Sequence, residues 1–457
     1  MFPSLSQYIP YYKNNLKIAL PIVLTQVGGG LVALVDNIMV GHLGAVELAA
    51  VAFANSVYIL GHVFVMGAVM GVTPLIGQAF VQHDDDRVRS LLHHGFLFVM
   101  MMGLAMIGVL TGVYFFFDHM GQDSEVIALA KPYYIVQIVS LLPFLLFCLC
   151  KQFLEGLGNT KLAMMITVVS NLLNIFLNYV LIFGKMGCPR LGVLGAGLAT
   201  LVARLLMPIL FVIVLKRSKE WSHYLRKTQA LSYTWKSMKI VARVGLPIGG
   251  HMLLECAAFA LCSIMIGWLG AVPLAANQIA QNISTLTFML VVGIGSATTI
   301  RVSHRLGENN FTALRMASKA AIHLCLTTNA VMAVLMIVFS DEIPRIFTTD
   351  VSVITTAAPL LVLAGLFQLS DGLQTVGVSI LRGLTDVRRP VIYAFISYIC
   401  INLPVGYLLG FVCDWGEQGV WVGFIVGLSI AALLYHVRCH RQINYLERTR
   451  LEHKNIE

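Results

Sequence analysis

The stretch Phe96–Leu110 reads FLFVMMMGLAMIGVL and decides the class of fold of this chain. It contains no charged residue, and mainly apolar residues extend it to 90–117. A run of about 20 apolar residues is long enough to cross a bilayer as a helix. A transmembrane strand would instead alternate apolar and polar residues over about ten positions, which this stretch does not do. The stretch therefore predicts a transmembrane helix.

The composition of the whole chain agrees with this prediction. Of 457 residues, 58% are hydrophobic and only 12% are charged, with a mean hydropathy of +0.82. Soluble globular proteins carry about 25% charged residues, so a water-soluble domain is excluded. The net charge of +9 comes from Lys and Arg scattered between apolar runs, which excludes a nucleic-acid partner. No Walker loop or metal-ligand cluster is present, which predicts a protein that is not an enzyme, has no cofactor and needs no ATP-binding subunit.

Twelve runs of this kind predict an all-α integral membrane protein with twelve transmembrane helices. The predicted spans are 15–40, 47–77, 90–117, 126–150, 160–184, 192–215, 240–268, 275–300, 313–340, 352–380, 390–412 and 418–437.

The basic residues orient these spans. The even-numbered connections and the two tails hold 26 of the 31 Lys and Arg residues, whereas the odd-numbered connections hold 4. Because Lys and Arg accumulate in cytoplasmic loops, both termini are expected in the cytoplasm. The remaining basic residue, Arg204, is the only midspan cation of this prediction.

An internal repeat divides the chain into two halves. Ile38–Val46 (IMVGHLGAV) recurs as Ile264–Val272 (IMIGWLGAV) at an offset of 226, and Asn174 aligns with Asn402 at an offset of 228. Six spans per half is an even number, so the two halves are parallel repeats. The predicted domains are an N-terminal six-helix lobe at 1–215, a cytoplasmic linker at 216–239 and a C-terminal lobe with a short cytoplasmic tail at 240–457.

Three acids lie inside predicted spans, where ionisable residues are costly and usually functional. Asp36 lies in the first span, Glu255 in the seventh and Asp371 in the tenth. In the repeat, Asp36 aligns with Cys262, Glu255 with Gly29 and Asp371 with about Phe144, so none of the acids is an inherited symmetric feature. Two desolvated acids close together can hold a proton near neutral pH or share a cation, which we expect of Glu255 with Asp371. Pairing of an acid with Arg204 purely for packing is the alternative.

Amide side chains accompany the acid of the first half. Asn171, Asn174 and Asn178 follow i, i+3, i+7 spacing and share one helix face. Asn174 and Asn178, together with Asp36 and Thr200, offer the carboxylate, amide and hydroxyl oxygens that a hard cation such as Na⁺ prefers. The alternative is that these asparagines only hydrogen-bond neighbouring helices.

The second half offers a similar set of polar and aromatic residues. Gln278 and Asn282 lie in the eighth span, and Phe259, Phe288 and Phe367 can form an apolar surface for a flat organic cation. Each of these aromatic residues can equally be part of the core or face lipid.

Several other residues of the spans have two interpretations. Pro21 can act as a hinge or as a static kink in the first span, because proline removes a helix hydrogen bond. His251, one turn before Glu255, either tunes that acid or is a satisfied core histidine. Cys188 and Cys413 lie in corresponding outer loops and can be bridged or free.

The ordered combination of these features resembles the multidrug and toxic compound extrusion (MATE) family, in its NorM-like branch. The likeness rests on LVDNIMVGHLG around Asp36, on the EGLGNTK and LRGLTDVRRP loops, and on the positions of Glu255 and Asp371. It covers essentially the whole chain. It implies two six-helix lobes around a central cleft that alternate between outward-open and inward-open states.

The resemblance also implies a function and its residues. The protein would be a secondary antiporter in which Na⁺ or protons drive the export of lipophilic organic cations and drugs from a bacterial inner membrane, as a monomer in lipid. Glu255 and Asp371, with Gln278 nearby, match the C-terminal cation site of the family. The N-terminal cation site is matched by Asp36, Asn174, Asn178 and Thr200. Phe259 falls where relatives place an aromatic residue that contacts drugs.

Other functions fit the sequence less well. A flippase for lipid-linked oligosaccharide can share the fold but needs a strongly cationic cleft. An intramembrane aspartyl protease would carry a G-x-G-D signature, and Ser296 follows Gly293-Ile-Gly295 instead. A flippase is therefore the alternative function.

Overall fold

Our computed structural model describes residues 5–225 and 235–454. Among these residues, twelve helices are long and apolar enough to cross a membrane, which confirms the predicted fold class. In chain order they are α1 (Leu5–Gly41), α2 (Ala45–Val81, with a turn at Gly71), α3 (Asp85–Tyr114), α4 (Ser124–Gly156), α5 (Lys161–Phe183), α6 (Val193–Arg217), α7 (Trp235–Gly267), α8 (Ala271–Gly307), α9 (Phe311–Val338), α10 (Val351–Gly383), α11 (Arg388–Val412) and α12 (Gly416–Lys454).

The chain forms two compact units. The N-terminal unit is Leu24–Gly249, and the C-terminal unit consists of the described parts of Met1–Val23 and Gly250–Glu457. These units differ from the predicted lobes, because the first part of α1 groups with the second half and the described residues of 216–225 and 235–249 group with the first. Both changes of unit fall two residues after repeat-related prolines, Pro21 and Pro247. Packing, rather than chain order, assigns these helix segments to their units.

The same helix of the repeat is central to each unit. In the N-terminal unit, α4 packs against α2, α3 and α6; in the C-terminal unit, α10 packs against α8, α9 and α12. Small residues allow α10 to pack closely against its neighbours. A Cβ atom on Gly372 of α10 would lie 1.8 Å from Asn329 Nδ2 of α9. Asn329 uses this space to donate to the backbone oxygen of Gln368 at 2.6 Å. Asp371, between these two positions of α10, is therefore held in a tightly packed part of the helix.

Helix α11 departs from regular α-helical geometry. The stretch Phe395–Asn402 is π-helical, and so is Leu408–Val412. Pro404 follows the first stretch closely and has no backbone N–H to donate to the preceding turn. π-helical turns of this kind occur frequently at functional sites.

The predicted cytoplasmic linker is partly described. Its residues 226–234 lie outside the described part of the chain. Before them, a 3₁₀ turn at Ser222–Leu225 packs against the start of α3 in the same unit, where the Tyr224 hydroxyl donates to Asp85 Oδ1 at 2.9 Å. Burial, followed by the hydrogen bond and the negative charge of Asp85, raises the pKa of Tyr224. The first part of the linker is therefore docked on the start of α3.

Candidate functional site

The N-terminal unit brings the predicted set of Asp36, Asn174, Asn178 and Thr200 together. Asn178 Nδ2 donates to Asp36 Oδ1 and also to Asn174 Oδ1, at 3.2 Å in the second case. Asn174 Nδ2 lies 3.4 Å from Thr200 Oγ1. With the Asn174 amide turned over, its NH₂ group lies 3.2 Å from Asp36 Oδ1 and its oxygen accepts from the backbone N–H of Thr200 at 3.3 Å. Three helices, α1, α5 and α6, thus supply one polar cluster.

The oxygen atoms of this cluster suit a hard cation. Asn174 and Asn178 expose only 4% and 0% of their surface, and Asp36 is partly buried. The Asn178 Oδ1 atom is buried and has no hydrogen-bond partner among the described residues. An unpaired buried carbonyl oxygen beside a carboxylate is the kind of ligand that Na⁺ takes in proteins. The cluster of Asp36, Asn174, Asn178 and Thr200 remains a predicted cation site. Among the described hydrogen bonds, none joins Asn171 to this cluster.

Arg204 does not pair with an acid for packing in the described part of this unit. Its Nη1 atom donates to Tyr58 Oη at 3.3 Å, Gln137 Oε1 at 3.0 Å and Ser140 Oγ at 2.6 Å. The guanidinium carbon also lies 5.1 Å from the centroid of the Phe144 ring. The cation is thus held by neutral and aromatic groups of α2 and α4.

The C-terminal unit places Glu255 and Asp371 on either side of one amide. Gln374 Nε2 donates to Glu255 Oε1 at 3.1 Å and to Asp371 Oδ1 at 3.2 Å. The Gln374 Oε1 atom accepts from the Tyr398 hydroxyl at 2.8 Å. The two carboxylates, which can only accept when they are ionised, fix the orientation of the amide. Sequence reasoning missed Gln374 and Tyr398. The i, i+3 spacing of Gln374 from Asp371 was the available signal.

The predicted polar match of this site, Gln278, lies elsewhere. Gln278 and Asn282 are both exposed, and Gln278 Nε2 donates to Asn282 Oδ1 at 3.3 Å. In the described part of the chain, neither makes a hydrogen bond to Glu255 or Asp371. Gln374 takes the place next to the acids that was expected for Gln278.

The predicted aromatic residues form part of a cluster. The Phe259 ring stacks on Phe424 with centroids 4.8 Å apart and meets Phe367 edge-on at 6.0 Å. Phe259 lines a small pocket next to Glu255, whereas Phe367 is only 2% exposed and belongs to the core. Phe288 packs partly buried against the same core. Phe259 is thus the member of this set that lines the pocket.

Two arginines that the sequence places in connections lie inside helices, near their ends. Helices α8 and α10 continue past the predicted span ends and include Arg301 and Arg382. Arg301 is 5% exposed, and the Nε atom of Arg382 is buried without a partner among the described residues. The sequence placed both arginines in connections because apolar runs end before them.

The remaining open interpretations concern His251, Pro21 and the cysteines. His251 is 2% exposed and its Nε2 atom lies 2.9 Å from the Tyr435 hydroxyl, which favours a core histidine. Helix α1 continues through the buried Pro21. Cys188 and Cys413 are both free thiols.

The fold and these sites define a class: twelve spanning helices that hold carboxylates and amides inside each unit are typical of multi-pass membrane transporters. The MatE family model matches residues 21–180 and 247–408, and the two matches begin 226 residues apart, which is the offset of the repeat. The chain belongs to the MatE family.

Similar proteins agree with this membership. The chain is 34% identical to "Multidrug resistance protein NorM" of Vibrio vulnificus (strain CMCP6) over 438 residues, which cover 93% of this chain and 94% of that protein. It is 30% identical to "Multidrug resistance protein MdtK" of Photorhabdus laumondii subsp. laumondii, over 95% of this chain and 96% of that protein. The structure matches the "Outward-facing conformation of a multidrug resistance MATE family transporter of the MOP superfamily" with a TM-score of 0.88 at 21% identity, covering 96% and 97% of the two chains. At 21% identity, this structural match shows that the two proteins share a fold.

Proposed function

We propose that this protein is a secondary multidrug efflux transporter that exchanges Na⁺ or protons for lipophilic organic cations. The names of the NorM and MdtK relatives support the multidrug part of this proposal, and membership in a transporter family supports the expectation that the chain is not an enzyme. One observation carries the ion-coupled part. Asp36 is hydrogen-bonded within a cluster of amide and hydroxyl groups inside an apolar spanning helix, where carboxylates are rare.

The coupling follows from linkage between the two ligands. A cationic drug and a coupling ion that compete for the same carboxylates, or that stabilise opposite states, each weaken the binding of the other by the same factor. Ion entry then drives drug release to the outside. In this proposal Asp36 is the main coupling carboxylate of the N-terminal unit. Glu255 and Asp371 serve the C-terminal unit, and Phe259 contacts the drug.

Residues around Asp36 hold the ion when it is Na⁺. Asn174, Asn178 and Thr200 would complete the oxygen ligand set, because amide and hydroxyl oxygens suit a hard monovalent cation. When the coupling ion is a proton, Asp36 itself carries it. Pro21 is proposed as the hinge of α1, since the helix changes from one compact unit to the other two residues after it.

The setting of the transporter is proposed with its function. We infer a bacterial inner membrane, both termini in the cytoplasm, a monomer in lipid and no ATP-binding subunit. The excess of Lys and Arg in the even-numbered connections and tails supports the orientation. The relatives do not favour the alternative of a lipid-linked oligosaccharide flippase.

Purified protein in liposomes provides the test. Movement of a fluorescent organic cation is driven first by a Na⁺ gradient alone and then by a pH gradient alone, in wild type and in Asp36→Asn, Glu255→Gln and Asp371→Asn. We expect one gradient to drive movement in wild type and the amide variants to lose coupling while remaining folded by size-exclusion chromatography. Wild-type coupling in all three variants would refute the proposal, and no movement under either gradient would favour the flippase.

A further inference from the structure

Thr200 and Arg204 lie on one face of α6. Thr200 belongs to the cluster around Asp36, because Asn174 Nδ2 lies 3.4 Å from its Oγ1 atom. Arg204 follows four residues later in the same helix. Residues four apart are neighbours on a helix surface, with their Cβ atoms about 5–6 Å apart. A fixed positive charge is therefore attached one helical turn from the predicted cation site, within the same compact unit.

Neutral groups hold the guanidinium of Arg204 in place. Its Nη1 atom donates to Tyr58, Gln137 and Ser140, and the last two residues are only 5% and 0% exposed. Gln137 is itself fixed, because its Nε2 atom donates to the Tyr133 hydroxyl oxygen at 2.8 Å. The guanidinium carbon also lies 5.9 Å from the centroid of the Tyr58 ring. These contacts orient the cation through hydrogen bonds and an aromatic face.

Arg204 and Asp36 interact through space. Among residues 5–225 and 235–454, no carboxylate forms an ion pair with Arg204, and Asp36 Oδ1 accepts from Asn178 instead. Charges that are not in contact still interact over about 10 Å inside a protein, because the interior screens them less than water does. The guanidinium therefore attracts the carboxylate and repels a cation that binds to it.

A repelling charge beside a cation site has a use in transport. An ion that drives exchange has to leave its site as well as enter it, so its binding must be weak enough for release. A carboxylate and amide oxygens in an apolar span, with no positive charge nearby, would hold Na⁺ tightly. Arg204 lowers this affinity without occupying the site, because α2 and α4 hold its guanidinium.

We propose that Arg204 is a built-in counter-charge that lowers the Na⁺ affinity of the Asp36 cluster, so that the bound ion is released in each cycle. Arginine suits this role because its guanidinium stays charged in proteins. The inference rests on the proposed ion-coupled transport, to which it adds a residue that sets the ion affinity. The alternative is that Arg204 only links α6 to α2 and α4.

The test measures equilibrium binding of radioactive Na⁺ to the full-length protein in lipid nanodiscs at constant ionic strength. All variants carry Glu255→Gln, so that binding by the N-terminal cluster is measured. We expect Arg204→Gln to raise the Na⁺ affinity by about tenfold, because it removes the charge and keeps an NH₂ donor for the neighbouring acceptors. Arg204→Met is a second neutral variant in case the glutamine variant does not fold.

The direction of the change separates the effect of charge from that of packing. If Arg204 only links helices, its removal loosens the cluster, and Na⁺ should bind more weakly. Arg204→Lys keeps the charge and should stay within about threefold of its parent. Ser140→Ala, which removes one acceptor and leaves the charge, is the matched control and should bind as its parent does. In liposomes, Arg204→Gln should move the organic cation more slowly, because the ion leaves late.

The inference is overturned if both neutral variants bind Na⁺ no more tightly than their parent, or if Arg204→Lys binds it as tightly as they do. A parent that binds no Na⁺ overturns it too, because no Na⁺ affinity is then left for Arg204 to lower. The proposed function fails separately, when wild-type protein moves the organic cation under neither gradient. Coupled movement in wild type, together with unchanged affinity in Arg204→Gln, refutes only the role of Arg204.

Discussion

Asn402 donates to the thiol of Cys262 at repeat positions where the N-terminal unit has Asn174 and Asp36. With the Asn174 amide turned over, its NH₂ group donates to Asp36, so the same asparagine position contacts the same position of α1 or α7 in both units, with a carboxylate in one and a thiol in the other. A thiol is a weak acceptor and carries no charge when buried. The C-terminal unit consequently obtains its negative charge from other residues, Glu255 and Asp371, and the duplicated halves have diverged in their chemistry while keeping the contact.

The asparagine of α5 that bonds Asp36 should be needed for ion binding. We expect Asn178→Leu to lower the Na⁺ affinity of the N-terminal unit by about tenfold or more, because it removes both the donor to Asp36 and the unpaired Oδ1 atom. Asn171→Leu, two turns earlier on the same helix, is the matched control and should bind Na⁺ as wild type does. Radioactive Na⁺ binding in a Glu255→Gln background measures both. Equal affinities would show that the cluster around Asp36 is not the ion site.

Gln374, which bridges Glu255 and Asp371, should matter more for stability and export than Gln278, which the sequence predicted to lie near these acids. Gln374→Leu leaves Glu255, Asp371 and Tyr398 without their partner. Each buried group left unpaired costs about 1–3 kcal/mol, so the variant should unfold at a clearly lower temperature and export poorly.

Gln278→Leu tests the same change at an exposed position, where little effect on thermal unfolding is expected. Thermal unfolding in detergent and the liposome assay are compared for the two variants. If Gln278→Leu lowers the unfolding temperature and export more than Gln374→Leu does, Gln278 is the functional amide, as the sequence predicted.

Arg301 should hold the first part of α1 in the C-terminal unit. Its Nη1 atom donates to the Tyr11 backbone oxygen and to Asn15 Oδ1, both at 2.7 Å, and Asn15 is 1% exposed. We expect Arg301→Met to cost about 1–3 kcal/mol, because both acceptors lose their donor. Hydrogen exchange of the α1 amides before Val23 should rise in this variant.

Arg305→Met is the control for the loss of an arginine on the same helix. Its ion pair with Glu308 is more exposed and lies three residues away on the chain, so its loss should cost about 0.5 kcal/mol or less. Unchanged exchange in Arg301→Met, or equal exchange in both variants, would mean that the buried contact does not anchor α1.

The orientation in the membrane can be tested with the free thiols. In whole cells that carry single-cysteine variants, a membrane-impermeant maleimide should label Cys413, which is exposed and lies in a predicted outer connection. A cysteine introduced by Glu308→Cys, in a predicted inner connection, should be labelled only after the membrane is permeabilised. The reverse pattern would invert the topology proposed from the basic residues.

The sequence was most informative where one physical pattern repeats many times. Apolar runs predicted twelve helices because each span must bury its backbone polar groups internally, and the structure has twelve such helices among the described residues. The N-terminal cluster was also predictable, since the i, i+4 spacing of Asn174 and Asn178 places both on one helix face. Asp36 was conspicuous because an acid in an apolar run is rare.

The sequence was least informative where the outcome depends on helix ends and on packing between distant helices. Arg301 and Arg382 were placed in loops because hydropathy ends before the helices do. Gln374 was missed because its importance comes from Glu255, 119 residues earlier in the chain.

The sequence by itself determined the number, kind and repeat of the helices and the identity of the buried acids, because these follow from local hydropathy and composition. The tertiary structure alone decided that an amide separates Glu255 from Asp371, and that Asn402 and Tyr398 face the pocket beside Glu255. It also decided that α1 and α7 each supply segments to both compact units. The physical reason is that hydrogen-bond partners of a buried polar group are chosen by the packing of helices that are far apart in the chain.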